Sequence, residues 1–232
     1  MQNNQQKTFQ RFSEQTIQFL GDLQSHNNKT WFEAHREDYQ QFVLEPLQAL
    51  VQDLSNDMLM IDSYFEVTPA VNRTISRIHR DTRFSKDKSP YKTAMWITFK
   101  RPTKEWKDAP AYFFELSPES YRYGMGFYSA SPDTMARLRE LMEKKTKEFI
   151  KAIQFYPKQN IFTLEGEQYK KVLNPNLPAE IQSWYQRKNI YLVRNTTIDQ
   201  TLFSKQLVTE LAKHFQLLAP LYQFWNTLVT KV

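Results

Sequence analysis

Ala111-Tyr-Phe-Phe-Glu-Leu116 and Tyr121-Arg-Tyr-Gly-Met-Gly-Phe-Tyr128, separated by Ser117-Pro-Glu-Ser120, decide the fold class. Both runs are rich in aromatic residues, which suit a pleated, half-buried surface. The Ser-Pro-Glu-Ser interval has the composition of a turn. Two strands joined by four residues must run antiparallel, because a parallel return needs a crossover of a dozen or more residues. The centre of the chain therefore reads as a β-hairpin rather than a βαβ unit.

Upstream of the hairpin, Thr93-Ala-Met-Trp-Ile-Thr-Phe-Lys100 alternates in the same way. Tyr64–Thr68 and Asn72–Ile78 read as strands or extended segments. Downstream, Ile190–Val193 reads as a strand, and a short one is expected within Phe162–Leu173.

Both ends are helical. Phe12, Thr16, Phe19, Leu20 and Leu23 recur at helical spacing, and so do Val43, Leu47, Leu50, Val51, Leu54 and Met58, with Pro46 near the start of that stretch. Thr30-Trp-Phe-Glu33 fits a capping box. Ser131-Pro132-Asp133 opens another helix, and Pro178 opens a short one through Trp184 and Tyr185. From Asp199, Phe203, Leu207, Leu211, Phe215 and Leu218 form an inward stripe that Pro220 breaks or bends. The expected fold is α+β, a central, mainly antiparallel sheet packed with N-terminal and C-terminal helices. With no linker or repeat, residues 1–232 read as a single domain, with 1–8 as a flexible tail.

Composition excludes several chemistries. The chain has no cysteine and only four glycines. Thiolate catalysis, disulfides and cysteine-type zinc sites are ruled out. Few glycines argue against phosphate-cradling glycine-rich loops. Gly124-Met-Gly126 lacks the third glycine and the following helix of a dinucleotide motif, and marks a bulge or a close backbone approach. The histidines at 26, 35, 79 and 214 form no metal-ligand pattern, so neither a metal nor a cofactor is expected. A polar N-terminus and the absence of a run of about 18 apolar residues point to a cytoplasmic protein with no membrane partner.

The net charge is +6 and the pI about 9.3, which favours anionic partners. Much of that charge lies in Arg77-Ile-His-Arg-Asp-Thr-Arg-Phe-Ser-Lys-Asp-Lys-Ser-Pro-Tyr-Lys92, where six cations stand against two aspartates. Arg77, Arg80, Arg83, Lys86 and Lys88, with Lys29 from the upstream motif, are the candidate ligand-binding residues, since arginine forks and lysine ammonium groups suit phosphate and carboxylate. Asp81, Asp87, Tyr91 and His79 are the candidates for acid–base chemistry. A purely structural reading stands beside these: the interleaved aspartates and cations are also what an ion-paired loop requires.

Arg80-Asp-Thr-Arg-Phe-Ser-Lys-Asp-Lys-Ser-Pro-Tyr-Lys92 resembles the signature of a bacterial and fungal family catalogued as domain of unknown function 2461. Asn27-Asn-Lys-Thr-Trp-Phe32, with Tyr39 and Pro46, is similar to that family's N-terminal motif. Tyr123–Tyr128 and Leu173-Asn-Pro175 are looser matches. After that last proline the family tends to be basic and glycine-containing, where this chain has Asn176-Leu177. The resemblance implies a single-domain bacterial protein and carries no activity with it. Four functions follow for the 77–92 stretch. The first is binding of a phosphorylated or anionic small ligand. The second is an enzyme using Asp81 or Asp87 on a phosphate-containing substrate. The third, weaker, is nucleic-acid binding, and the fourth a structural motif.

Overall fold

In the computed structural model the described residues are 8–103, 106–127 and 129–229. All of the expected 1–8 tail but Thr8 lies outside them, as does Tyr128 at the end of the second hairpin strand. In chain order the helices are α1 (Glu14–Ser25), α2 (Lys29–Ala34), α3 (Arg36–Asp38), α4 (Glu45–Ile61), α5 (Pro132–Lys144), α6 (Thr146–Ile153), α7 (Ala179–Tyr185) and α8 (Gln206–Asn226). The strands are β1 (Met95–Phe99), β2 (Pro110–Leu116), β3 (Ser120–Phe127), β4 (Thr163–Glu165) and β5 (Tyr191–Thr197). They form one antiparallel sheet in the order β1-β2-β3-β5-β4, so the fold is α+β. No described helix is long and apolar enough to cross a membrane.

The chain divides into two compact units. The first holds residues 1–99, 113–122 and 195–212; the second holds 100–112, 123–194 and 213–232. In the first unit the predicted stripe of α1 is buried throughout: Phe12, Thr16, Leu20 and Leu23 are fully covered and Phe19 nearly so. Ser13 caps α1 and makes a reciprocal capping box with Thr16. Pro46 sits at the second position of α4, and a π turn, Tyr39–Leu44, precedes it. A proline at 46 leaves the Phe42 carbonyl without its i+4 donor. The buried Thr16 hydroxyl donates to that carbonyl at 2.7 Å. One threonine thus serves both the start of α1 and the proline-disturbed turn before α4.

The Tyr64–Thr68 and Asn72–Ile78 segments do not form strands. Asn72 takes a left-handed conformation, φ 66°, in a turn closed by Ile75 N–H to Ala70 C=O (3.1 Å) and Asn72 N–H to Ile75 C=O (2.9 Å). Beyond it the chain makes only isolated bridges, Ile75 with Ile97 and His79 with Tyr91. The cap of α2 also differs from expectation. Asn28, not Thr30, is the N-cap and accepts from Trp31 N–H at 3.0 Å, while Glu33 pairs with Arg36.

In the second unit β4 pairs antiparallel with β5, Leu164 opposite Leu192. Gly124 and Gly126 are the close approach that their spacing suggested. A Cβ on Gly124 would lie 1.9 Å from the Leu192 carbonyl oxygen, and one on Gly126 2.3 Å from Tyr191 Cβ. The last helix begins at Gln206 rather than Asp199, whose carboxylate accepts from Thr201 N–H and Leu202 N–H in the preceding turn. Pro220 lies within α8 and does not end it.

Candidate functional site

All of the candidate residues belong to the first unit. The base of the Arg77–Lys92 loop is built by two backbone hydrogen bonds, Arg80 N–H to Pro90 C=O and Lys92 N–H to Ile78 C=O, both 2.8 Å. This pattern makes His79 and Tyr91 a non-hydrogen-bonded antiparallel pair, the arrangement that brings side chains closest. Their ring centroids are 5.1 Å apart. Tyr91, 3% exposed, also stacks on Phe32 of α2 at 4.1 Å and 20°.

The N-terminal motif holds this base from the other side. Asn27, in the turn between α1 and α2, donates from Nδ2 to Tyr91 C=O and accepts at Oδ1 from Tyr91 N–H, each at 3.0 Å. A side-chain amide thereby completes the backbone pairing of a residue 64 positions away. The two most specific sequence motifs of the chain are one structural unit, joined by the Asn27 amide and the Phe32–Tyr91 stack.

Within the loop, both aspartates form turns with the residue two places on. Asp81 Oδ1 accepts from Arg83 N–H (3.3 Å), and the Arg83 guanidinium forks onto both Asp81 oxygens (2.9 and 2.7 Å). Asp87 Oδ1 accepts from Ser89 N–H (2.9 Å) and Ser89 Oγ (2.6 Å), and its other oxygen pairs with Arg80. Arg80 also reaches Ser85 Oγ (3.4 Å), and Lys88 Nζ donates to Thr82 C=O at 2.9 Å. The loop is cross-braced by its own charges.

These contacts fix the titration of the aspartates. The Arg83 side chain, then its backbone N–H, lowers Asp81 to about 2. The Ser89 hydroxyl and N–H, then Arg80, hold Asp87 far below the usual carboxylate range. Both carboxylates are solvent-facing and permanently ionised near neutrality. What the contacts show is that Asp81 and Asp87 each brace the loop, through Arg83 and through Ser89 and Arg80.

The bracing decides which groups face outward. Arg83 remains 76% exposed at its side chain despite its pairing. Phe84 is 95% exposed and lies 5.8 Å from the Arg83 guanidinium. Arg77 and Lys86 are exposed and have no ion-pair partner among the described residues. Lys92 is half-buried: its Nζ donates to Arg77 C=O at 2.8 Å and sits 4.7 Å over the Trp96 ring. Burial, then the neighbouring Arg77, lowers its pKa.

Lys29, itself exposed, is the first residue of the six-residue α2, whose Trp31 N–H bonds the Asn28 side chain. Asn28 also accepts at its backbone carbonyl from Phe32 N–H at 3.2 Å. Lys29 belongs electrostatically with Glu33, whose carboxylate is lowered chiefly by its bond to Arg36 and further by Lys29 and His79. Burial, then Glu33, raises the Tyr91 hydroxyl. Glu33, Arg36, His79 and Tyr91 form a second polar cluster across the motif junction. The sequence named His79 and Tyr91 but gave no reason to place Glu33 and Arg36 with them.

Away from these motifs, a surface groove of about 470 Å³ is lined by residues including Glu14, Gln18, Glu119 and Phe203. No candidate residue lines it, and its carboxylates are unsuited to an anion. Among the described residues no group of three or more His, Asp or Glu is arranged to hold a metal ion. His214 is buried and bonded to the Tyr123 hydroxyl at 2.6 Å. His26 and His35 stack on opposite sides of the sequence from Trp31, at 5.9 and 4.1 Å.

Residues 15–224 match a family described as a conserved hypothetical protein, DUF2461. No curated protein matches the chain.

Proposed function

The chain belongs to this family of conserved hypothetical proteins, and we propose that it binds a phosphorylated or otherwise anionic ligand through the Arg77–Lys92 loop. The observation that carries the reading is the division of labour among the loop's cations. Arg80 and Lys88 are spent on bracing, and they hold a fixed platform from which Arg77, Arg83 and Lys86 face solvent. Arg83 is the adaptable member, since its fork already matches a carboxylate and can exchange Asp81 for a ligand phosphate. Lys29 is a secondary contributor at the motif junction.

Proton chemistry on such a ligand is the second reading. It is favoured by the meeting of His79 and Tyr91 beside Glu33 and Arg36, and it assigns the chemistry there rather than to Asp81 or Asp87.

The test is calorimetric titration with inorganic tripolyphosphate at low salt. Neither Lys86 nor Arg77 makes a side-chain hydrogen bond or ion pair among the described residues, so Lys86→Ala and Arg77→Ala are expected to fold, with circular dichroism as the check. The proposal expects each to weaken binding several-fold and the double variant to abolish it at 150 mM salt. Equal affinity in wild type and double variant overturns it.

A further inference from the structure

We infer that the anionic ligand of this loop is single-stranded nucleic acid, with the Phe84 ring as the stacking platform for an unpaired base. The inference rests on the anion-binding reading and goes beyond it by naming the ligand class.

Phe84 is the starting point. It is 95% exposed, the most exposed of the large apolar residues described. A phenylalanine in water forgoes the burial its ring would otherwise gain. It is not in water because its loop is slack: the loop base is hydrogen-bonded at both ends, and its arms are tied by Arg80 to Asp87 and by Lys88 to Thr82. The architecture holds the ring outward.

The ring is also accompanied. The Arg83 guanidinium lies 5.8 Å from it, and Lys86 is two residues on. The pattern recurs at the loop base, where the partly buried Trp96 carries the Lys92 ammonium at 4.7 Å, beside Arg77. Two rings, each with its own cation, are the elements of sequence-tolerant single-strand binding, in which bases stack and phosphates meet Lys or Arg.

Other anions fit less well. Small phosphorylated metabolites are bound in concave sites, whereas Phe84 and Arg83 project into solvent. A duplex keeps its base faces stacked and offers none to Phe84. An anionic bilayer would have to admit Asp81 and Asp87, each three residues from Phe84 and both ionised, into a negatively charged interface. Stacking on one ring leaves both carboxylates in water, Asp87 still with Arg80 and Ser89, while Arg83 can turn from Asp81 to a phosphate.

The experiment compares a dodecameric oligo-dT with an abasic strand of the same length. Binding to the full chain is measured by fluorescence anisotropy at 50 mM salt, beside inorganic tripolyphosphate and vesicles containing phosphatidylserine. Phe84→Ala and Phe84→Leu are run in parallel; neither removes a packed side chain. The inference expects oligo-dT to bind about tenfold or more tightly than the abasic strand. Both Phe84 variants should lose that advantage while keeping the abasic affinity. Equal affinity for the two strands, or an advantage that survives in Phe84→Leu, overturns the stacking assignment and leaves anion binding standing. Vesicle binding that depends on Phe84, without oligonucleotide binding, also overturns it. Failure to bind any of the anions, tripolyphosphate included, overturns the underlying reading as well.

Discussion

Replacing Asn27 with alanine removes the amide that holds Tyr91 at both its N–H and its C=O, each at 3.0 Å. A hydrogen bond between neutral groups contributes about 0.5–1.5 kcal/mol net, and a buried group left without its partner costs about 1–3 kcal/mol. Both bonds here are part-buried, so water reaches some of the abandoned groups. The expected loss is then about 2–3 kcal/mol. With a urea dependence of about 2–3 kcal/mol/M, the unfolding midpoint should fall by about 1 M. Asn27→Asp separates shape from bonding. It keeps the acceptor for Tyr91 N–H but turns a carboxylate oxygen toward the Tyr91 carbonyl, so it should lose at least as much as alanine. Amide exchange at Tyr91 and Lys92 should quicken in both variants, while the interior of α4 keeps its protection. A midpoint shift below about 0.3 M, together with unchanged exchange at Tyr91, would refute the clamp.

Three further outcomes follow from the geometry. Thr16→Val keeps the shape but removes both the donor to the Phe42 carbonyl, which Pro46 cannot serve, and the acceptor of Ser13 N–H in the α1 capping box; urea unfolding should show a loss of about 1–3 kcal/mol. Gly124→Ala places a Cβ 1.9 Å from the Leu192 carbonyl oxygen, so β3 and β5 must separate, with a cost of about 3 kcal/mol or more by thermal unfolding. In wild type the carboxyl carbon of Asp81 should titrate at about 2, and in Arg83→Ala it should move up toward 3.8. The sign follows from a folded pKa below the unfolded one: the Arg83–Asp81 pairing is fully present above about pH 4 and is lost as pH falls through about 2.

Much of the fold was legible because the residues that decide it act locally. The α1 stripe, the hairpin with its serine-flanked turn and the Gly124-Met-Gly126 approach all depend on spacing within one element. What was hidden depends on backbone conformation or on distant partners. Asn72-Arg-Thr-Ile-Ser-Arg-Ile78 alternates like a strand, yet Asn72 tolerates the left-handed conformation that turns the chain. Asn28 and Thr30 are both acceptable caps, and sequence alone does not choose between them. In the loop the aspartates and cations were visible, but their allocation was not. Asp81 with Arg83 and Asp87 with Ser89 are i to i+2 turns, which a charge count does not distinguish from ligand-facing groups. The Asn27 clamp spans 64 residues and left no local signal. Phe84 did leave one: it is an aromatic flanked by Arg83, Ser85 and Lys86, with no apolar neighbour at strand or helix spacing on its loop side.

The most direct test of anion binding at this loop is a titration of isotopically labelled protein with inorganic tripolyphosphate, followed by amide and arginine side-chain chemical shifts. Shifts concentrated at Arg77, Arg83, Phe84 and Lys86, saturating with added anion and reversed by salt, are the predicted result. No saturable shift in the 77–92 stretch, or shifts confined to residues outside it, would contradict it.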